Sequence, residues 1–306
     1  MAPANPFTPS RPTGFGRNST AEEVSAGLSL SGKTVLVTGC TSGLGRETCR
    51  VLSLRGAHVL GTGRTLASAE EACAMLPGRG SAYACDLADP DSVRACSARI
   101  RHDGHLLDAI VGNAGIMALP TLQQAHGYEL QFFTNHVGHF MLITGLLDRL
   151  AADGRVVMLS SLAHAQAPRC GIDFDNLSGE RGYNPWRQYG QSKLANLLFA
   201  SELQRRFAGS QRTAYAVHPG VARTNLARHM GRSAQRFVEL FGSLFLKDVS
   251  RGAATTVFAA AHPQALSLAG HYLVDCKAVR PSRQALDAAL ARRLWEVTEE
   301  IVHRLP

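Results

Sequence analysis

The chain has 306 residues, of which 45% are hydrophobic and 18% charged, a composition that supplies a core and excludes wholesale disorder. Lys and Arg outnumber Asp and Glu by 32 to 24, a formal charge of +8, so nucleic acid, a membrane surface and an anionic ligand are all candidate partners until the charge is located. Seven cysteines at scattered spacings, with no CxxC pair, exclude a disulfide framework or zinc ribbon and read as buried free thiols of a reducing, cytoplasmic compartment.

In chain order, residues 1–30 read as an N-terminal arm. Four prolines and many small polar residues make its first twenty positions flexible, and Ser19-Thr20-Ala21-Glu22-Glu23 has the form of a capping box that opens a short helix. No apolar secretory core is visible there, and nowhere does the chain reach the eighteen or so apolar residues of a membrane span.

From residue 31 to 306 the pattern is that of one domain. A strand at 34–38 leads to a helix at 47–54, a strand at 57–61 to a helix at 66–75, and a strand at 81–85 to a helix at 90–100. A strand at 107–112 precedes a long helix over 127–150, a strand at 155–160 precedes a helix over 188–207, and a sixth strand follows at 213–218. Leu286, Leu290, Leu294, Val297 and Ile301 form the core-facing stripe of a last helix. Continuous aliphatic strands alternating with helices predict a Rossmann-type, doubly wound α/β fold, with a mostly parallel sheet and helices on both faces.

The loops after these strands carry the chemistry. Thr38-Gly39-Cys40-Thr41-Ser42-Gly43-Leu44-Gly45 follows the first strand and opens a helix. Glycines there let the backbone approach a pyrophosphate, which the helix N-terminus holds with free N–H groups. After the second strand, where an NAD site needs a carboxylate for the ribose 2′-OH, the sequence offers Gly61-Thr62-Gly63-Arg64. A guanidinium pairs bidentately with a 2′-phosphate, so NADP(H) is favoured, with NAD(H) the alternative. Asp86 and Leu87 stand where the adenine would be read. Asn113, Ala114 and Gly115 form a small-residue loop that brings backbone close to the cofactor.

Tyr189 and Lys193, four apart, share one face of a helix. A phenol with a pKa of about 10 is a poor base at neutral pH, and a neighbouring ammonium lowers that value and makes it a usable general acid and base. Ser160 and Ser161 end the fifth strand, where a hydroxyl can stabilise charge developing on a substrate oxygen. Asn135 lies within the long helix, and a buried helical Asn is costly without partners.

Taken together, these residues resemble the short-chain dehydrogenase/reductase family in its single-domain form. TGxxxGxG at 38–45, NAG at 113–115, the serine after strand five, YxxxK at 189–193 and His218-Pro219-Gly220 occur in family order, and the resemblance covers roughly 33–272. It implies a catalytic tetrad of Asn135, Ser161, Tyr189 and Lys193, with Ser161 chosen over Ser160 by the family's SSxA pattern. It also implies cofactor contacts from Tyr189, Lys193, Pro219, Gly220, Val221 and Thr224. Asn135 through Phe140, Ser160 through His164, and Tyr189 through Asn196 resemble the phrases of the retinol dehydrogenase-like branch. Gly252 through Thr256 and the arm at 19–23 are similar to the reductase domain of WW-domain oxidoreductases.

The resemblance implies hydride transfer between a nicotinamide and a carbonyl or alcohol, with Tyr189 as acid and base and Ser161 polarising the oxygen. By the same resemblance Lys193 lowers the Tyr189 pKa and holds the nicotinamide ribose, and Asn135 supports a water chain. Phe237 and Phe241 lie in a segment expected to cap the cleft, which points to a small apolar substrate. The rival from another class is a catalytically silent NADP(H)-binding sensor or scaffold on the same fold. His136 with His139, and His102 with His105, have helix-compatible spacing for a metal but lack an acidic partner, so no metal is expected. Seven arginines from Arg205 to Arg236, with no intervening Asp or Glu, lie around the cofactor side. This narrows the charge from nucleic acid or membrane to attraction of a dinucleotide, with an acidic group on the substrate as the alternative. The oligomeric state stays open, a homo-oligomer included.

Overall fold

Strands whose two faces are both apolar need a helix layer on each side, and this is where the computed structural model, which describes residues 13–220 and 248–306, places them. The chain runs through α1 (Ala21–Val24), β1 (Thr34–Thr38), α2 (Gly43–Leu54), β2 (His58–Gly63), α3 (Leu66–Ala74), β3 (Gly80–Ala84), α4 (Pro90–His102) and β4 (Leu107–Gly112). It continues through a small hairpin, β5 (Gln124–Ala125) and β6 (Tyr128–Glu129), then α5 (Leu130–Phe132), α6 (Gly138–Thr144), β7 (Leu150–Leu159), α7 (Pro185–Arg206) and β8 (Thr213–His218). The last elements are α8 (Val249–Gly252), α9 (Ala254–Ala261), β9 (Tyr272–Val274), β10 (Lys277–Ala278) and α10 (Ala288–Arg304).

The main sheet has the order β10-β9-β8-β7-β4-β1-β2-β3. Its pairs are parallel except β9 with β10. Strand order reverses between β1 and β4, and in a doubly wound sheet ligands bind at that switch, outside the carboxyl ends of the strands. Gly39 and Asn113 leave the sheet at these two ends.

Four sequence expectations change. The helix expected over 127–150 is three pieces. His126 and Gly127 both have positive φ, 52° and 81°, which makes a two-residue hairpin turn where the helix would have begun. Between α5 and α6 the backbone widens into a π turn, Phe133–Val137, in which the Gly138 N–H reaches back to the Phe133 carbonyl. The fifth strand starts at Leu150 rather than 155, because Leu150 pairs with Leu107 before the register shifts. Within the described part of the arm, the Thr13 hydroxyl donates to the Cys276 carbonyl, and Phe15 packs edge-on to Phe258 and His262. Finally, the buried stripe of α10 is Ala291, Leu294, Trp295, Thr298 and Ile301, while Leu286 lies before the helix and is exposed.

The sheet separates two cores. One face packs against α4, α6, α7 and α10 and is built around Phe132, Phe140, Phe199 and Trp295, the last two stacked at 5.4 Å. The other packs against α1, α2, α3 and α9 and is mostly Ala, Val and Cys around Phe258. Six of the seven cysteines are buried, Cys170 is exposed, and none forms a disulfide. Among the described residues no helix is long and apolar enough to cross a membrane.

Candidate active site

The glycine loop is shaped for a close backbone approach. Gly39 has φ +70°, and a β-carbon at Gly45 would lie 2.1 Å from the Gly39 carbonyl oxygen, so positions 39 and 45 tolerate no side chain. The first turn of α2 is also left open. Thr20, Thr65, Asp89, Asn184 and Asp287 each cap their helix with a side-chain hydrogen bond, but Ser42 makes none to α2. The first N–H groups of that helix, from Gly43, Leu44 and Gly45, therefore keep the donors and positive dipole that a pyrophosphate needs. Thr41 and Ser42 are exposed beside them. These residues fit a dinucleotide.

Around this loop the remaining cofactor candidates come together at the strand ends. Arg64 directly follows β2 and is exposed. Asp86 uses one carboxylate oxygen to accept from Ala88 N–H in its own turn, 3.0 Å, and Leu87 is buried behind it. Asn113 clamps the glycine loop, its amide donating to the Thr38 carbonyl at 2.7 Å. The Asn113 and Ala114 N–H groups both donate to the Thr38 hydroxyl at 2.9 Å. Pro219 and Gly220 follow β8, whereas Val221, Thr224, Phe237 and Phe241 lie outside the described residues.

Two adjacent serines end β7, and the structure separates them. Ser160 is buried and its hydroxyl donates to the Lys193 carbonyl at 2.8 Å. Ser161 Oγ instead accepts from Ala163 N–H at 3.2 Å and stands near enough to the Tyr189 phenol to pull its pKa down. Tyr189 itself is buried on the first turns of α7 with Trp186 edge-on at 6.3 Å. Lys193, one turn on, is buried, donates to the Leu159 carbonyl at 3.2 Å, and stands 5.6 Å from the Tyr189 ring centroid. Gly115 faces this group: a β-carbon there would lie 2.9 Å from Asn135 Oδ1 and 3.4 Å from Lys193 Nζ. Asn135, Ser161, Tyr189 and Lys193 thus come together between the loop after β4, the end of β7 and the start of α7.

The electrostatics differ from the sequence argument. Burial pushes Tyr189 up to about 12, with the nearby Ser161 hydroxyl pulling it the other way, and burial brings Lys193 down to about 8. Loss of water around the phenol, and not the expected lowering by Lys193, sets the direction of the shift. At neutral pH Tyr189 is therefore a proton donor and Lys193 a cation. Asn135 also has a larger structural part than expected. Its side-chain oxygen accepts from Ile116 N–H at 2.9 Å, and its amide donates to the Ile116 carbonyl at 3.0 Å and to the Ser192 hydroxyl at 2.9 Å. It thereby ties the loop after β4 to α7.

Several partners escaped the sequence reading because they are distant in the chain. Ser192 is one, His164 another. The His164 Nδ1 donates to the Ser161 carbonyl at 2.6 Å, and its Nε2 accepts from Ser282 N–H at 3.1 Å, which holds the serine-bearing turn against the C-terminal segment. Of the four paired histidines, three have other partners. His136 bonds Thr298, His139 bonds Thr38 and Asn135, and His105 packs edge-on to His58. Among the described residues no group of His, Cys, Asp and Glu could hold a metal.

The arginine run corrects the charge argument. Arg205 and Arg206 pair with Glu202, and Arg212 donates to the Ala151 and Leu150 carbonyls. Arg205 lies about 24 Å along α7 from Tyr189 at roughly 1.5 Å per residue. These three serve the fold, and Arg223, Arg228, Arg232 and Arg236 lie outside the described residues.

Residues 33–173 match the family model for short chain dehydrogenase. The chain is 38% identical over 309 residues, 96% of each chain, to the short-chain dehydrogenase TIC 32 A, chloroplastic, of Brassica napus. It is 37% identical over 295 residues, 89% of this chain and 87% of the other, to retinol dehydrogenase 14 of Homo sapiens. Among solved structures, an uncharacterized protein from Mycobacterium paratuberculosis is similar with a TM-score of 0.74 and 36% identity, covering 92% of this chain and 97% of that one. A short chain dehydrogenase from Burkholderia cenocepacia J2315 in complex with NADP is similar with a TM-score of 0.64 and 25% identity, covering 80% and 96%.

Proposed function

The chain belongs to the short-chain dehydrogenase/reductase family, in its retinol dehydrogenase-like branch, and on that premise we propose that it is an NADP(H)-dependent oxidoreductase acting on the carbonyl or alcohol group of an apolar substrate. The observation that carries this reading is the Ser161–Tyr189 pair. Ser160 is turned back to the Lys193 carbonyl, while the Ser161 hydroxyl stands beside the Tyr189 phenol, so that one substrate oxygen could meet both.

The N–H groups at 43–45 would hold the pyrophosphate, Arg64 the 2′-phosphate, Asp86 and Leu87 the adenine, and Asn113 to Gly115 with Pro219 and Gly220 the nicotinamide half. The nicotinamide, when bound, supplies the hydride chemistry. In carbonyl reduction Tyr189 donates its proton to the substrate oxygen and Ser161 donates a second hydrogen bond to it. In alcohol oxidation Tyr189 takes the proton back. Lys193 keeps a positive charge beside the phenol, and Asn135 fixes the loop and helix that carry these groups. An apolar substrate is supported by Leu162 and Trp186, which are 54% and 40% exposed immediately beside the residues that do the chemistry.

The test is NADPH consumption, followed at the reduced-nicotinamide absorbance band, with matched panels of lipophilic and of small charged ketones and aldehydes. Turnover of the lipophilic panel is expected. Turnover confined to the charged panel defeats the substrate class. No turnover at all, with NADPH still bound, favours the silent sensor or scaffold.

A further inference from the structure

His139 is fully buried in α6 and neither ring nitrogen is idle. Nδ1 lies 2.9 Å from the Asn135 carbonyl oxygen and Nε2 lies 2.8 Å from the Thr38 hydroxyl. A carbonyl only accepts, so Nδ1 carries the proton. The Thr38 oxygen already accepts from the Asn113 and Ala114 N–H groups, which fills its two lone pairs. Its own proton then goes to Nε2, the alternative acceptor, the Val111 carbonyl, being 3.4 Å away. One tautomer of a neutral ring satisfies every group. A protonated ring would aim an N–H at an oxygen with no lone pair left, and burial, with Lys193 nearby, holds the ring down to about 4.

The ring packs where β4 ends without a side chain: a β-carbon at Gly112, the last residue of β4, would lie 2.5 Å from Met158 Sδ and 3.1 Å from His139 Cδ2. The π turn is part of the same arrangement: it widens the helix at the residue whose carbonyl the ring reaches, four positions back, and such widenings recur at functional sites. The bonds form one line. It begins at the end of β1, passes through the His139 ring to the Asn135 carbonyl, and continues through the Asn135 amide to Ser192, next to Lys193.

We propose that His139 is a positioning residue that locks Asn135, and through it the Ser192–Lys193 turn of α7, to the ends of β1 and β4 that carry the cofactor loops. The cofactor loops do not depend on the ring for their own shape, because Asn113 and Ala114 bond Thr38 directly. The loss on removing it therefore falls on the reacting geometry, where a displacement of about 1 Å can cost on the order of 100-fold.

The experiment, which for its kinetic arm rests on the reading of function above, compares His139→Leu, His139→Asn and His139→Gln. Expected for His139→Leu is a kcat lowered about 100-fold, with the carbonyl KM and NADPH Kd unchanged. The Asn amide can stand where Nδ1 does and keep the bond to Asn135, whereas the Gln amide reaches only toward Thr38. His139→Asn should therefore recover at least half of the lost kcat on a logarithmic scale, and His139→Gln less. Equal losses in all three, the reverse order, or a loss carried by KM or Kd overturns the proposal. Should His139→Leu fail to fold, the Asn–Gln order decides. Should the wild type turn over no carbonyl compound, the function is wrong but this proposal is still tested. The emission of bound NADPH should then change in His139→Gln at unchanged Kd, and identical emission overturns it.

Discussion

The two faces of the sheet bury comparable layers of helix but in different chemistry. On the face covered by α6 and α7, the buried side chains include Asn135, His136, His139, Gln188, Gln191, Ser192, Lys193 and Asn196. On the face covered by α2 and α9, the fully buried polar side chains among the described residues are hydroxyls such as Thr48, Ser53, Thr255 and Thr256 among Ala, Val and Cys, with the half-buried Arg155 bonded to the Ala259 and His262 carbonyls. A buried amide, imidazole or ammonium costs stability unless every donor and acceptor is matched. The first face therefore carries a network that the fold would be simpler without, and that excess surrounds the proposed site. The second face is dry and pays only for packing.

The largest effect that would sharpen this division is on rate. Tyr189→Phe removes one hydroxyl from the polar face. The NADPH-linked rate should fall about 1,000-fold, within the range of general acid–base catalysis, with NADPH Kd within a few-fold and the melting temperature unchanged. A comparable residual rate would mean that another group moves the proton. The counterpart lies on the dry face. Phe258 is fully buried, and Phe15 and His262 pack on it. Phe258→Ala should cost about 3–4 kcal/mol in denaturant unfolding while kcat of the folded protein stays near wild type. A rate loss without a stability loss there would break the comparison.

What the sequence made legible follows the same boundary. The strand–loop–helix units from β1 to β4 are contiguous patterns, so the glycine turn, Arg64 and Asn113 could be placed from spacing alone. The YxxxK pair was legible for the same reason, since both residues lie on one helix. The polar network was not, because its bonds join residues far apart in sequence: Asn135 meets Ile116 and Ser192, and His139 meets Thr38, 101 positions away. The region 127–150 misled because its apolar spacing is helical, while the positive φ of His126 and Gly127, the π turn and the pairing of Leu150 with Leu107 depend on the tertiary structure.

Lys193 tests both terms of the comparison at once. Its folded pKa, about 8 against 10.5 unfolded, means that burying the ammonium costs stability in full below pH 8. The unfolded chain binds more protons between about 8 and 10.5, so stability rises with pH across that window. Lys193→Met removes the cost, on the order of 3 kcal/mol from the shift, and should be more stable than wild type at pH 7 by up to that amount while losing turnover. The stability gap should close by pH 10.5. A gap of constant size across the window would show that Lys193 is not the titrating group.

The smallest expected effect lies at Arg64, which belongs to neither core. It is exposed after β2, so its replacement should change neither kcat nor melting temperature. What it should change is the choice between cofactors. An exposed guanidinium on a 2′-phosphate is a charge-assisted, solvent-screened contact worth about 1–2 kcal/mol. Arg64→Asp should therefore shift the ratio of NADPH to NADH affinity by at least 10-fold toward NADH, and the NADPH affinity of the wild type should weaken as salt is raised. An unchanged ratio would move the reading of the 2′ position to another residue at the same sheet edge. It would leave the two-face division intact, because that division rests on buried groups and this contact is made at the surface.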